Sequence, residues 1–317
     1  MSNGISSCWT LRGDCSRRAG GTRQLGEKRQ DKRMEESKPS QTAIGPAILR
    51  AAHQILDQEP RILDDPIAVG LVEGSDREEI LEQSTALNGR GMKLARSLFV
   101  MRSRYAEDCL QEAAEAGVRQ FVILGAGFDT FAYRQPEWAT TFKIFEVDHP
   151  STQRWKRARL KAGSVRIPLN LVFVPCDFEK TELSEALSAA SFASKQPAFV
   201  SWLGVTQYLT RVAIEAALRF VASLPRGSAI VFQFALPESM LDGRDLEQSQ
   251  LFTKRAAEIG EPWITRLPPE EWKGWLSRLG YSRIFHLTRE IAQARYFSGR
   301  GDGLAAVQMH QMMLAEV

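Results

Sequence analysis

A chain of 317 residues that holds only four histidines and four cysteines offers little for metal or thiol chemistry. The cysteines, at 8, 15, 109 and 176, form no CxxC pair, and the histidines show no HExxH or HxH spacing. That excludes a dedicated zinc centre and a disulfide framework, and the expected setting is a reduced, cytoplasmic one. Long apolar runs are also lacking. The richest stretches, FVILGAGF and PAFVSWLGVTQYL, fall short of the roughly 18 residues that a membrane helix needs. A basic body is missing too, although the chain carries +3 overall with a pI near 8.7. Residues 1–33 hold eight basic residues against three acids, a net +5, which leaves −2 for the remainder. A slightly acidic body is a poor tracker of phosphates, so nucleic acid is not an expected partner.

What is present is an ordinary globular composition, 44% hydrophobic and 25% charged. Residues 1–40 lack apolar periodicity and read as a disordered basic tail, with a transit peptide or a natural start at Met34 as the alternatives. From residue 41 the pattern changes. Ala43, Ala47, Ile48, Ala51, Ala52, Ile55 and Leu56 recur at helical spacing. A second, longer helix is expected from Lys93 to Ala116, stopped by Gly117. These elements, 41–118, form an N-terminal helical cap ahead of the first strand. An alternation follows in 119–317. Strands are expected at 120–124, 143–148, 171–175, 198–203 and 229–235, with helices at 151–162, 182–190 and 211–224 between them. That order implies an α/β fold with a parallel, doubly wound sheet. A helical insertion is expected at about 240–265, then a helix at 268–280, and 283–287 with 294–297 as a closing antiparallel pair.

The first strand runs into LGAGFDT, and glycine there allows a sharp turn and a close backbone approach by a ligand. Gly125, Ala126, Gly127 and Asp129 are the candidate contacts. The dinucleotide pattern G-x-G-x-x-G is broken, since Thr130 stands at the third glycine. The second strand ends in FEVDHP, with Asp148 placed 23 residues after Gly125, where a carboxylate can accept both hydroxyls of a ribose. Glu146 lies on the same side of that strand, and His149 follows directly. The third strand ends in PCDFEK. Asp177 could accept from an adenine amine with Phe178 beside the ring, or could cap the next helix. Arg102 and Arg104, in RSRYAED, could clamp a carboxylate or lie on a solvated helix face. The fourth strand and its Gly204 break carry Trp202, Gln207 and Tyr208 as candidate walls of a substrate pocket.

Taken in order, SQTAIGPAILRAAHQ, DDPIA, RSRYAED, LGAGFDTFAYR, FEVDHP, DFEK, WLGVTQYLT and ARYFSGRGDGL resemble the bacterial S-adenosylmethionine-dependent methyltransferases related to leucine carboxyl methyltransferases. The resemblance implies a class I methyltransferase (Rossmann-like) sheet of seven strands with one antiparallel. It implies S-adenosyl-L-methionine as cofactor, with Arg102 on its carboxylate and Arg104 as fallback. Gly125 and its neighbours would pass the methionine and sugar, Asp148 would hold the ribose, and Asp177 and Phe178 would flank the adenine. It also shows a departure: Leu203 stands where those enzymes carry a cofactor-contacting glutamate. No N-P-P-[YF] sequence is present, so methylation of a nucleic-acid amino group is not supported. The expected reaction is O-methylation of a small-molecule carboxylate or hydroxyl, with no catalytic base assigned and the oligomeric state open. An NAD-dependent oxidoreductase and a non-catalytic adapter that kept the fold are the competing readings.

Overall fold

The run Gln120–Leu124 forms strand β1, and every residue in it is buried. Phe121 and Ile123 pack into one apolar cluster, Val122 and Leu124 into another. Burial on both faces is what a run without polar alternation predicts, and each such side chain contributes roughly 1.5–3 kcal/mol. The chain is described by a computed structural model over residues 41–178 and 180–317. The tail expected at 1–40 lies outside the described residues.

β2 (Lys143–Asp148), β3 (Leu171–Pro175), β4 (Phe199–Trp202) and β5 (Ala229–Ala235) pair in parallel around β1. β6 (Arg283–Leu287) and β7 (His310–Glu316) complete a seven-stranded sheet in the order β3-β2-β1-β4-β5-β7-β6. β7 is antiparallel to both of its neighbours, which makes it the single reversed strand of a Rossmann-like sheet, as expected.

The closing pair corrects the expectation. Residues 294–297 are helical, not extended. Thr288 caps a short helix, Arg289–Ala292, through Ile291 N–H, and the turn Gln293–Phe297 continues it. The seventh strand is instead the terminal HQMMLAE. It lies between β5 and β6, so its apolar run is buried, while the edge strand β6 alternates.

Helix α1 (Gln41–Leu56) and helix α2 (Arg90–Glu115) precede the sheet. α2 ends in a Schellman turn. Gly117 has φ +94° and donates to Ala114 O at 3.0 Å, and Val118 donates to Ala113 O at 3.0 Å. α3 (Pro150–Ala162), α4 (Leu183–Ala189), α5 (Arg211–Ala222), α6 (Gly243–Glu258) and α7 (Pro269–Arg278) follow. A buried triad ties α1 to α2: Arg96 donates to both oxygens of Asp57 at 2.6 Å, and His53 Nδ1 lies 2.8 Å from Asp57. His53 Nε2 accepts from Ile62 and Leu63 N–H at 3.2 and 3.4 Å, so the ring proton sits on Nδ1 and faces Asp57. Burial pushes the Asp57 carboxyl up, but His53 and Arg96 outweigh it and hold the group below the usual carboxylate range. Among the described residues no helix is long and apolar enough to cross a membrane.

Candidate functional site

Because β1 to β4 run in parallel, their carboxyl ends share one edge of the sheet, and the strand order reverses between β1 and β4. Ligands of such sheets bind at that reversal. A cavity of about 590 Å³ opens there. Arg102, Gly125, Ala126, Gly127, Asp129, Asp148, His149, Asp177, Phe178 and Tyr208 all line it.

The turn after β1 is a cradle. Gly125 and Gly127 have φ of +64° and +46°, in the region that favours glycine. Gly125 and Ala126 N–H both donate to Val147 O, at 2.8 and 3.2 Å, which locks the turn to β2. A Cβ on Gly125 would lie 2.3 Å from Val205 Cγ2, so the loops after β1 and β4 meet with no room for a side chain. Asp148 is bound into the same cradle. Its Oδ2 accepts from Gly127 N–H and its Oδ1 from His149 N–H at 2.6 Å. Burial pushes this carboxyl up, against the pull of those two N–H groups. A carboxylate has about four acceptor sites, so two stay available to a ligand. Glu146 is separated from Asp148 by the fold. It is buried against Lys156, 2.8 Å away, and lies outside the cavity lining. Burial lifts it to about 7 despite that cation.

His149 caps α3. Its Nδ1 accepts from Ser151 N–H at 3.3 Å and lies 2.7 Å from Ser151 Oγ. Asp177 does not cap α4, whose N-cap is Glu182. Its carbonyl closes a turn by accepting from Lys180 and Thr181 N–H, and its carboxylate accepts from the exposed Lys180 at 2.8 Å. Cys176 lines the cavity beside it, with a thiol that burial pushes up to about 11. Two expected wall residues are elsewhere. Trp202 is wholly buried in the core, and Gln207 is buried, its backbone carbonyl accepting from Ile264 and Thr265 N–H. Leu203, Gly204 and Val205 supply that wall instead.

The two arginines of RSRYAED separate. Arg102 faces the cavity and donates to Gln233 Oε1 at 2.8 Å. Burial and the charge of Arg50 lower its guanidinium to about 9, so it remains a cation at neutral pH. Arg104 is exposed and paired with Asp108 at 2.7 Å. It lines a different cleft, of about 690 Å³, where Arg295 also pairs with Asp108.

Sequence reasoning missed the face that α1 presents. Ala43, Pro46 and Arg50 line the cavity, and their spacing of three and four residues is the signal that could have placed them together. Arg50 is held there by Asp65 of DDPIA, which accepts from Arg50 Nε at 2.8 Å and from Thr130 Oγ1 at 2.7 Å. Arg134 approaches Asp65 at 3.3 Å and grips Glu107 with both terminal nitrogens. One buried carboxylate thus joins the N-terminal helix to the glycine turn. Burial raises Asp65, but Arg50, Arg134 and Thr130 hold it below the usual range.

Comparison with known proteins agrees with this geometry. The family model described as leucine carboxyl methyltransferase matches residues 43–222. The "Putative S-adenosyl-L-methionine-dependent methyltransferase YktD" of Bacillus subtilis is 32% identical over 303 residues, covering 87% of this chain and 97% of that protein. A Frankia alni protein with the same description is 31% identical, over 75% of this chain and 84% of its own length. Two crystal structures share the fold. A methyltransferase, so described provisionally, from Thermobifida fusca superposes with a TM-score of 0.54 at 16% identity, over 88% of this chain and 95% of that one. A DUF574 family protein from Streptomyces avermitilis gives 0.51 at 14% identity, over 89% and 98%.

Proposed function

The chain belongs to the leucine carboxyl methyltransferase family and is an S-adenosylmethionine-dependent methyltransferase, and from that premise we propose that it O-methylates a small carboxylic acid. The cavity suits the cofactor on its own chemistry. Arg102 would hold the amino-acid carboxylate, the glycine cradle would admit the sugar, and Asp148 has acceptor sites left for the ribose hydroxyls. Asp177 and Phe178 would meet the adenine. Bound there, the cofactor supplies an activated methyl group on a sulfonium.

The chain's own contribution is alignment and exclusion of water. Leu203, Val205 and Ile264 give the cavity an apolar side, and Leu203 occupies the position where a glutamate was expected by resemblance. None of these three side chains can take a proton, and the carboxylates of Asp129 and Glu261 line other parts of the cavity. Of the four histidines, His149 alone lines the cavity, and its Nδ1 is engaged with Ser151. His53 and His310 are buried, and His286 contacts Gln311 at 2.5 Å. A carboxylate acceptor, with an ordinary pKa of about 4, is already ionised and needs no base, whereas a phenol at about 10 does.

The observation that carries the reading of the acceptor is the apolar side made by Leu203, Val205 and Ile264, with the one cavity-lining histidine engaged by Ser151; Arg102, which forms no ion pair with a carboxylate among the described residues, serves the cofactor. The test is a panel of small carboxylic acids and phenols, scored by release of S-adenosylhomocysteine. Turnover of acids with a flat profile across neutral pH is expected. Turnover of phenols alone, with a pH profile lost in His149→Ala, would refute the choice of acceptor.

A further inference from the structure

Three arginines of the N-terminal half with little exposed side-chain surface are each matched by a carboxylate: Arg50 by Asp65 at 2.8 Å, Arg96 by Asp57 at 2.6 Å and Arg134 by Glu107. Arg102 is held differently. Its Nη1 donates to the amide oxygen of Gln233 at 2.8 Å, its guanidinium lies 4.7 Å from the centre of the Phe99 ring, and it lies against Gly204. Gln233 sits in the middle of β5, fully buried. His310 stands opposite Ala235 in the register, so it shares a sheet face with Gln233. That imidazole is also uncharged, since burial and the charges of Arg102 and Arg266 drive it down to about 3. Asp129 lines the same cavity and its charge favours the Arg102 cation, but it forms no ion pair with it, and one of its oxygens accepts from Phe131 N–H at 2.9 Å.

An amide is an unfavourable choice for a buried strand position unless its oxygen is needed. Here Gln233 Nε2 has no hydrogen-bond partner, which is a cost that an aliphatic residue would avoid. A glutamate would bind Arg102 more strongly, as a charge-assisted pair. It would also cancel the charge.

We propose that Gln233 is a positioning residue, which orients Arg102 through a neutral oxygen and so keeps the guanidinium's charge for the carboxylate of the cofactor. This rests on the reading that Arg102 faces that carboxylate. It adds a reason for the residue type at position 233. Replacing the amide by a carboxylate of the same shape installs an internal competitor for the ligand.

The experiment is calorimetric binding to the full chain of S-adenosylhomocysteine and of its decarboxylated analogue, which lacks only the carboxylate. The wild type is expected to prefer the former by about 10- to 100-fold. In Gln233→Glu that preference collapses to near one while the analogue binds as before, which also reports that the adenosine side is folded. If that variant fails to fold, Gln233→Met carries the test: the unanchored guanidinium lowers the preference about fivefold, with the analogue again unmoved. A wild-type preference retained in Gln233→Glu, or in Gln233→Met where only that variant folds, overturns the role of Gln233. A wild-type preference near one would overturn the assignment of Arg102 beneath it, and the two failures are told apart by the wild-type measurement alone.

Discussion

Gly125 should be intolerant of a methyl group for two separable reasons, and a double-mutant cycle can measure each. Its φ of +64° penalises any residue with a Cβ, by roughly 1–2 kcal/mol. The added carbon would also lie 2.3 Å from Val205 Cγ2, an overlap that must be relieved by displacing packed atoms, at roughly 1–3 kcal/mol. Gly125→Ala should therefore cost about 2–5 kcal/mol in the wild-type background. Truncating the neighbour removes only the second reason. With Val205→Ala the nearest remaining atom of residue 205 is its Cβ, at an ordinary 3.5 Å. Val205→Ala alone loses two methyl groups at a half-buried site, about 1 kcal/mol. In that background Gly125→Ala should cost only the backbone part, about 1–2 kcal/mol. Urea unfolding of the four proteins gives the coupling, expected at about 1–3 kcal/mol in favour of the double variant. Costs that add within about 0.5 kcal/mol would refute the steric argument. The binding of S-adenosylhomocysteine should follow the same pattern, lost in Gly125→Ala and partly regained in the double variant.

Gly204→Ala should behave differently, because its Cβ would meet the movable end of Arg102, at 2.5 Å, and not a branched Cβ; unfolding should show little beyond about 1–2 kcal/mol, while calorimetry shows at least about tenfold weaker S-adenosylhomocysteine binding. Asp65→Asn leaves Arg50 and Arg134 without their shared carboxylate and should cost about 3–5 kcal/mol by urea unfolding, with a loss under about 1 kcal/mol contradicting the network. Its folded pKa is depressed, so the stability it contributes is present above the unfolded value and lost as pH falls through the folded one; the acid limb of a pH–stability curve should be shallower in Asp65→Asn. Glu146 has the opposite sign. Its folded pKa of about 7 exceeds the unfolded one, so its ionisation erodes stability by about 3 kcal/mol as pH rises from about 4.5 to 7, and Glu146→Gln should no longer show that fall. Deleting residues 1–33, which carry the basic excess, should leave methyl transfer unchanged, as the same acceptor assay would record.

The central sheet was legible because β1, β2, β4 and β5 are almost wholly buried and read as largely apolar runs, while the edge strand β3 still carries the apolar LVFV. The same signal failed at the C-terminus through competition. ARYF alternates like an edge strand, but its Phe297 is buried from a helical turn, and the final strand, HQMMLAE, carries polar residues at its start that hid a buried run. At the site, the expected Arg102, Gly125, Asp148, His149 and Tyr208 line the cavity, whereas the expected Trp202 and Gln207 do not. Gly125 and Asp148 are fixed by where β1 and β2 end. Trp202 follows from the same strand logic, yet a strand's last residue can face either the cavity or the sheet below, and only packing against Phe232 and its cluster decides for the sheet. Gln207 sits in the short helical turn Thr206–Tyr208 after β4, and that turn buries it while Tyr208 lines the cavity.

Arg50, Arg102 and Arg104 make the limit concrete. All three carry the same charge, and each lies on a helix ahead of β1. Arg50 and Arg102 even line the same cavity. What separates them is what else each touches. Arg50 has its Nε on Asp65 and one terminal nitrogen on Phe128 O at 2.5 Å, so its charge already serves the tie between α1 and the glycine turn. Arg104 is neutralised by Asp108 in the exposed cleft. Arg102 is half-buried, is met by an amide, and keeps its charge. A negatively charged ligand entering the cavity therefore finds two cations but only one whose pairing it does not have to break. Desolvation of an ion pair is already repaid at Arg50 by Asp65, whereas at Arg102 an incoming carboxylate supplies the missing partner. The resemblance ranks Arg102 ahead of Arg104 within RSRYAED, and the rotation of α2, which turns residues 102 and 104 about 200° apart and so to opposite faces, puts Arg102 at the cavity and Arg104 in the exposed cleft.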